Sequence, residues 1–351
     1  MKNLGSIDKY KVVDFFSGCG GTSSGFEAAG FEILAGIDND PSAATTFRQN
    51  FPDALFLEKD INDLMVDEVK AIVGVPERTL FAGCAPCQPF SKQQQYSDSS
   101  DPRRGLLLHF LKFIQGIKPA FVFVENVPGI QKADLDNGPF ALFVRGLLDN
   151  GYNIEYRVVK SSDFGVPQTR KRLMLMASLY TEISIPQPTH GDLLQPLVTV
   201  RDAIGSLPPI AAGEQCEDDP DHQSANLSQK NLERIKATAE GKGRESWPEE
   251  LMLECHRTHL GHSDVYGRLA WDRLASGLTT KCISYSNGRF GHPEQDRALS
   301  VREAALLQTF PPTFRFFGGI SHKAKQVGNA VPPLLAQRVG EAFLKSAASK
   351  T

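Results

Sequence analysis

No segment of this chain approaches the roughly 20 consecutive apolar residues that a membrane-spanning helix requires, so no membrane span is expected. The opening MKNLGSIDKY lacks the apolar core of a secretory signal, and a cytoplasmic protein is expected. Cysteine is scarce: six in 351 residues give no disulfide framework. Cys84 and Cys87 form one CxxC, and no second CxxC completes a four-cysteine metal site. Cys255, His256, His259 and His262 are ligand-type residues, but their spacing matches no familiar zinc finger, and no metal is expected. Positive charge is not in excess either. With a net charge of -3 the chain as a whole is not a basic nucleic-acid binder, so any such contact must come from local patches. Internal repeats and low-complexity segments are also missing.

What is present is an ordinary globular composition, 41% hydrophobic and 23% charged, long enough for one large α/β domain and a smaller one. Short apolar runs alternate with helix-like stretches in the first half. KVVDFF (11–16), FEILAGID (31–38), ALFLEKD (54–60), RTLFAGC (78–84), PAFVFVEN (119–126), NIEYRVVK and RLMLMASLY read as strands. Helices are expected near 22–29, 42–50, 62–73, 105–117 and 138–149. This order predicts an open parallel sheet with helices on both faces. After about residue 185 the rhythm breaks down, and 186–265 reads as an irregular inserted domain. Its acidic run EQCEDDPD (214–221) reads as a solvated loop face. Regularity resumes near 266, with helices expected over 301–310 and, started by prolines, 331–348. The expected division is therefore 1–185 completed by 266–351, with 186–265 as the smaller domain.

Several motifs carry chemistry. DFFSGCGG (14–21) lies between the first strand and its helix, where Gly18, Gly20 and Gly21 permit a tight turn and close approach of a ligand. Position 23 is Ser, so the dinucleotide fingerprint is incomplete. Asp38 ends the second strand, where an acid can hold ribose hydroxyls. Together these point to an adenosine-bearing cofactor without a pyrophosphate; a structural glycine turn is the plainer reading. AGCAPCQPFS (82–91) follows the fourth strand, and its prolines stiffen a loop that presents Cys87 at the ligand-binding edge. A nucleophilic cysteine needs nearby positive charge or helix dipoles, which sequence does not reveal. FVFVENVPG (121–129) puts Glu125 at the end of the next strand, and a carboxylate after four apolar residues implies a use, catalytic or structural. In PQTRKR (167–172), strand alternation places Arg170 and Arg172 on one side, two guanidinium forks suited to a carbonyl, carboxylate or phosphate. Arg157, Lys160, Arg170, Lys171 and Arg172 against Asp163 form the strongest local basic patch. QVGNAVPP (326–333) reads as a turn before a proline-started helix.

In this order the motifs resemble the cytosine-5 DNA methyltransferase family, and bacterial modification methyltransferases within it, over roughly 11–180 and 266–346. The resemblance implies a Rossmann-like, S-adenosylmethionine-dependent methyltransferase sheet, α/β in class, with 186–265 as a smaller irregular target-recognition domain. It implies Phe16 stacked on adenine, Asp38 with Asn39 at the ribose, and Ser17, Gly18, Cys19, Gly20 and Gly21 forming the cofactor turn. Asp60 and Ile61 of KDIND would line the adenine pocket, Leu107 of DPRRGLLLHF would line the cofactor, and Asn329 would help close the cofactor site. Cys87 would be the nucleophile, Glu125 the partner of cytosine ring nitrogen 3, and Arg172, with Arg170, the holder of the base carbonyl. Implied partners are double-stranded DNA, with the target base flipped out, and a paired restriction endonuclease. The implied state is a monomer. The rival readings are a tRNA cytosine-5 methyltransferase of the same family, a catalytically silent DNA-binding module, and a thiol oxidoreductase using Cys84 and Cys87.

Overall fold

A computed structural model describes residues 9–85, 105–132, 137–254 and 264–349. It divides into two compact units. The first comprises residues 1–160, 171–188 and 331–351; the second comprises 161–170 and 189–330. The composition break near 185 lies close to one of these boundaries. Residues 266–330, grouped with the first half on sequence motifs, pack with the 189–254 region instead.

The first unit holds a seven-stranded sheet in the order β3-β2-β1-β4-β5-β7-β6. Its strands are β1 (Lys11–Phe15), β2 (Glu32–Asp38), β3 (Leu55–Glu58), β4 (Thr79–Gly83), β5 (Phe121–Asn126), β6 (Asn153–Lys160) and β7 (Lys171–Ser178). β1 to β5 are parallel, whereas β7 runs antiparallel to both β5 and β6. The expectation of a wholly parallel sheet therefore fails at β7. Its cause is the connection: residues 161–170 contain only a 3-10 turn (Ser161–Phe164), and a parallel return needs a crossover of a dozen or more residues.

Helices cover both sheet faces. They are α1 (Gly21–Ala29), α2 (Pro41–Asn50), α3 (Val66–Val73), α4 (Leu106–Ile117), α5 (Pro139–Asp149) and, from the end of the chain, the helix Pro333–Ala348. β1, β4 and β5 are almost entirely buried, as strands covered on both faces must be. Alternation along β5 divides the core. Val122 and Val124 join the cluster of Phe110, Ile114 and Phe143 from α4 and α5, while Phe123 meets Phe26 of α1 and Phe121 meets Phe343 of the last helix. Gly25 lets α1 and that helix touch, since a Cβ there would stand 2.1 Å from the Pro333 carbonyl oxygen.

Among its described residues the second unit contains α6 (Val200–Ile204), α7 (Gln229–Lys236), α8 (Val301–Leu307) and α9 (Ile320–Asn329), with short 3-10 turns, loops and isolated bridges between them; the last helix of the first unit is α10. A small apolar cluster centres on Ile235, Trp247, Tyr285 and Ala298. Buried charge organises much of the rest. Arg297 meets Glu303 with two bonds of 2.7 Å, and Arg302 reaches Asp219 and Asp221, which also hold Arg315 and Lys323. The acidic run is thus only partly a solvated face: Glu214, Glu217 and Asp218 are exposed, but Asp221 is buried and neutralised. Among the described residues no helix is long and apolar enough to cross a membrane.

Candidate active site

The parallel strands β1, β2, β4 and β5 end at Phe15, Asp38, Gly83 and Asn126, along the carboxyl edge where open α/β sheets bind ligands. The turn after β1 has left-handed backbone at Phe16 (φ 58), Gly18 (φ 52) and Gly20 (φ 98). Such a conformation is uncommon for a residue with a side chain, and in it Phe16 packs partly buried against the apolar cluster of the first unit. Gly20 also has no room for a Cβ, which would lie 2.4 Å from the Phe51 ring. Gly18 faces open space, with nothing within 4 Å of a Cβ built there.

Asp38 anchors this turn. Its Oδ2 accepts the Gly18 N–H at 2.8 Å and its Oδ1 the Asp40 N–H at 2.9 Å. Burial raises its pKa above the ordinary carboxylate value, against the pull of those N–H donors. Ser17 is buried, and its Oγ has no hydrogen-bond partner among the described residues. Cys19 is buried in the turn, with its thiol pushed up to about 12, chiefly by burial, and Gly21 begins α1. Asn39 is exposed and donates to Asp60 Oδ2 at 2.8 Å. Asp60 Oδ1 accepts from the Asn62 main chain and side chain. Ile61 and Leu107 belong to one apolar cluster against which Phe16 packs. The turn, the acid of β2 and three apolar residues from separate elements thus share one edge of the first unit.

Glu125 is the penultimate residue of β5, with only 7% of its surface exposed. Arg172 Nε lies 2.9 Å from Glu125 Oε1. The strand register accounts for the approach, because Glu125 faces Met174 across the antiparallel β5–β7 pair and Arg172 lies just beyond. Asn126 Nδ2 reaches the Ala85 carbonyl at 3.4 Å, tying the end of β5 to the exit of β4. Cys87, along with the rest of 86–104, lies outside the described residues, as do Cys255, His256, His259 and His262.

Two expected site residues belong to the second unit. Arg170 precedes β7, and its guanidinium donates to the carbonyls of Leu278 (3.1 Å), Gly328 (3.5 Å) and Ala330 (3.4 Å). The two arginines therefore differ in their partners: Arg172 meets a carboxylate and donates from Nη1 to the neighbouring Lys171 carbonyl at 2.8 Å, while Arg170 clamps three main-chain oxygens from distant segments. Asn329 is exposed at the end of α9, so QVGN closes a helix where the sequence reads as a turn.

Sequence reading passed over Asp14. It is fully buried in β1, accepts the Ser23 hydroxyl at 2.7 Å, and leaves Oδ1 without a partner among the described residues. Burial pushes its pKa up to about 7. The signal was available: a single carboxylate inside the apolar run KVVDFF, as for Glu125 in FVFVEN. Cys84 is a poor redox thiol, since burial and the neighbouring Glu125 and Asp14 hold its pKa well above 9.0, and reactive thiols need the reverse.

Comparison with known proteins agrees with this geometry. The family model described as C-5 cytosine-specific DNA methylase matches residues 10–345. The Type II methylase M.HgiDII of Herpetosiphon aurantiacus is 41% identical over 95% of this chain and 94% of its own length. The Type II methyltransferase M1.HphI of Haemophilus parahaemolyticus is 34% identical over 95% of this chain and 86% of its own. Among solved structures, one described as a DNA modification methyltransferase encoded within a prophage (E. coli) superposes with a TM-score of 0.76 at 25% identity, covering 96% of this chain and 99% of the other.

Proposed function

Because this chain belongs to the C-5 cytosine-specific DNA methylase family, we propose that it methylates carbon 5 of a cytosine flipped out of a specific duplex DNA sequence, using S-adenosylmethionine and Cys87. The observation that carries the proposal is Glu125. It is a nearly buried carboxylate paired with Arg172 at the end of β5, beside the strand whose exit leads to Cys87.

The β1 turn suits the methyl donor. Gly18 offers open backbone, Ser17 Oγ is a buried polar atom in want of a partner, and Asp38 provides a carboxylate for the ribose. Phe16, Ile61 and Leu107 supply apolar surface for adenine, with Asn39 and Asp60 at its edge. When bound, S-adenosylmethionine supplies an electrophilic methyl group. The chain does the rest. Carbon 5 of cytosine is a weak nucleophile, and addition of the Cys87 sulfur to carbon 6 makes it enamine-like. Glu125 holds or protonates ring nitrogen 3 and so stabilises the charge that develops there. Arg172 orients Glu125 and reaches toward the base carbonyl. Arg170 keeps the segment entering β7 in place. Once carbon 5 carries the methyl group, its proton passes to water, the carbon 5–carbon 6 double bond re-forms and the sulfur departs as a thiolate, which restores the aromatic ring. A stacked base cannot present carbon 6 to a thiolate, so the target leaves the helix, at a cost of a few kcal/mol.

Residues 186–265 act as the target-recognition region, reading base edges in the major groove. The enzyme works as a monomer on DNA, paired with a restriction endonuclease of the same specificity. The Type II names of its relatives support that pairing. The test is transfer of tritiated methyl groups to duplex DNA and to tRNA, with bisulfite sequencing to locate the product. Label in a defined DNA sequence is expected; label in tRNA alone would replace this reading with the tRNA-directed one.

A further inference from the structure

Glu125 is fixed on its side-chain face by Arg172 and on its neighbour Asn126 by Ala85. A third tie runs underneath. Cys84, the first residue beyond β4, puts its sulfur 3.8 Å from the Thr22 hydroxyl, with either as donor. The parallel pairing of β4 and β5 sets Ala82 level with Phe123, and two residues further on it brings Cys84 level with Glu125. Thr22 is buried in the first turn of α1, immediately after the glycine turn that follows β1. One small thiol therefore joins the helix that begins at the cofactor turn to the strand end that lies beside the acid of β5.

Nothing in the proposed chemistry uses Cys84 or Thr22. Two carboxyl groups, Glu125 and Asp14, face Cys84 and discourage a thiolate, as does its enclosure. A neutral thiol can exchange a hydrogen bond with the Thr22 hydroxyl while its own backbone stays beside Glu125, as a compact adaptor. Alanine would keep the small volume but lose that bond. Serine would keep it with shorter reach.

Resting on the functional reading above, we propose that Cys84 and Thr22 act together as a positioning pair, which transmits the placement of the cofactor turn to Glu125. The pair touches neither substrate nor donor. Its effect falls on the turnover step and not on DNA affinity, because it sets where an existing acid stands.

A double-mutant cycle tests this in the full-length enzyme. Cys84→Ala and Thr22→Val are each expected to lower kcat about tenfold, the size of loss that follows when a catalytic group is displaced by a fraction of an ångström. KM for duplex DNA should be unchanged. The double variant should be no slower than the slower single one, since both break one link. Cys84→Ser should recover most of the rate. Additive losses, or kcat unchanged in both single variants, would overturn the pair. So would a Cys84→Ser enzyme as slow as Cys84→Ala. Thermal midpoints measured alongside separate misplacement from misfolding: a rate loss that tracks a lowered midpoint assigns Cys84 to packing and rejects the proposal. Capture of the wild-type enzyme on a 5-fluorocytosine duplex distinguishes the two levels of argument. Without capture the reading of the site falls and the pair with it; with capture, the cycle judges the pair alone.

Discussion

In the proposed reaction, Cys87 and Glu125 would need opposite things from their surroundings. A thiolate must be stabilised by positive charge or oriented N–H groups, whereas an acid that meets a ring nitrogen must be held still without being used up. Arg172, whose Nε lies 2.9 Å from Glu125 Oε1, would do the second task as an ion-pair partner. Replacing Arg172 by alanine should therefore lower kcat by about 10² to 10³, comparable to removing one preorganised electrostatic partner, with duplex binding little changed in a gel-shift assay. Cys87→Ser should abolish methyl transfer while leaving that binding intact; normal turnover by this variant would reject covalent catalysis. At this scale the sequence was informative where a residue contradicted its neighbours. Glu125 stands out because four apolar residues precede it, and Asp14 carries the same signature in β1. Partners were not legible. Nothing in QTRKR separates an arginine that meets a carboxylate from one that clamps three carbonyls, since the choice depends on which distant main chain comes near.

Elements that bury a continuous apolar run were readable, and those defined by long-range charge were not. β1, β4 and β5 announce themselves as strands covered on both faces, and α4 by its apolar spacing. The direction of β7 was invisible, because a strand's polarity depends on the length and path of its connection. α9 was also missed: its sequence ISHKAKQVGN offers no N-terminal side-chain cap and presents only Ala324, Gln326, Val327 and Gly328 to the interior. Close approach at glycine gives a sharp test at this scale. Gly25→Ala should drive a methyl group into the Pro333 carbonyl and Ala336. A loss of about 1–3 kcal/mol, the usual cost of overpacking a tight interface, is expected in urea unfolding. A midpoint equal to that of the wild type would mean that α1 and α10 yield more readily than their packing implies.

Across the whole molecule, the two units answer pH in opposite directions. In the first, Asp14 is held at about 7 by burial, well above its ordinary 3.8. The native state then binds the extra proton, so its stabilising contribution is complete below about pH 3.8 and is lost as pH rises through 7. In the second unit His292 is depressed to about 4, first by burial and further by Arg297, Arg268 and His222, despite Glu303. Its Nδ1 accepts the N–H groups of Glu294 and Gln295, and a proton there would break both bonds. That contribution is complete above about pH 6.5 and is lost as pH falls toward 4. Both tryptophans of the chain, Trp247 and Trp271, lie in the second unit, so their fluorescence reports on it selectively. The fluorescence-detected melting midpoint should fall between pH 7 and pH 5, and His292→Gln should flatten that fall. Asp14→Asn keeps the neutral form at every pH. By calorimetry its midpoint should exceed that of the wild type at pH 8.5, with the gap closing toward pH 4. An Asn variant with a constant offset at both pH values would show that Asp14 is already ionised in the folded protein, and that its unpartnered oxygen has found a donor beyond the residues that now surround it.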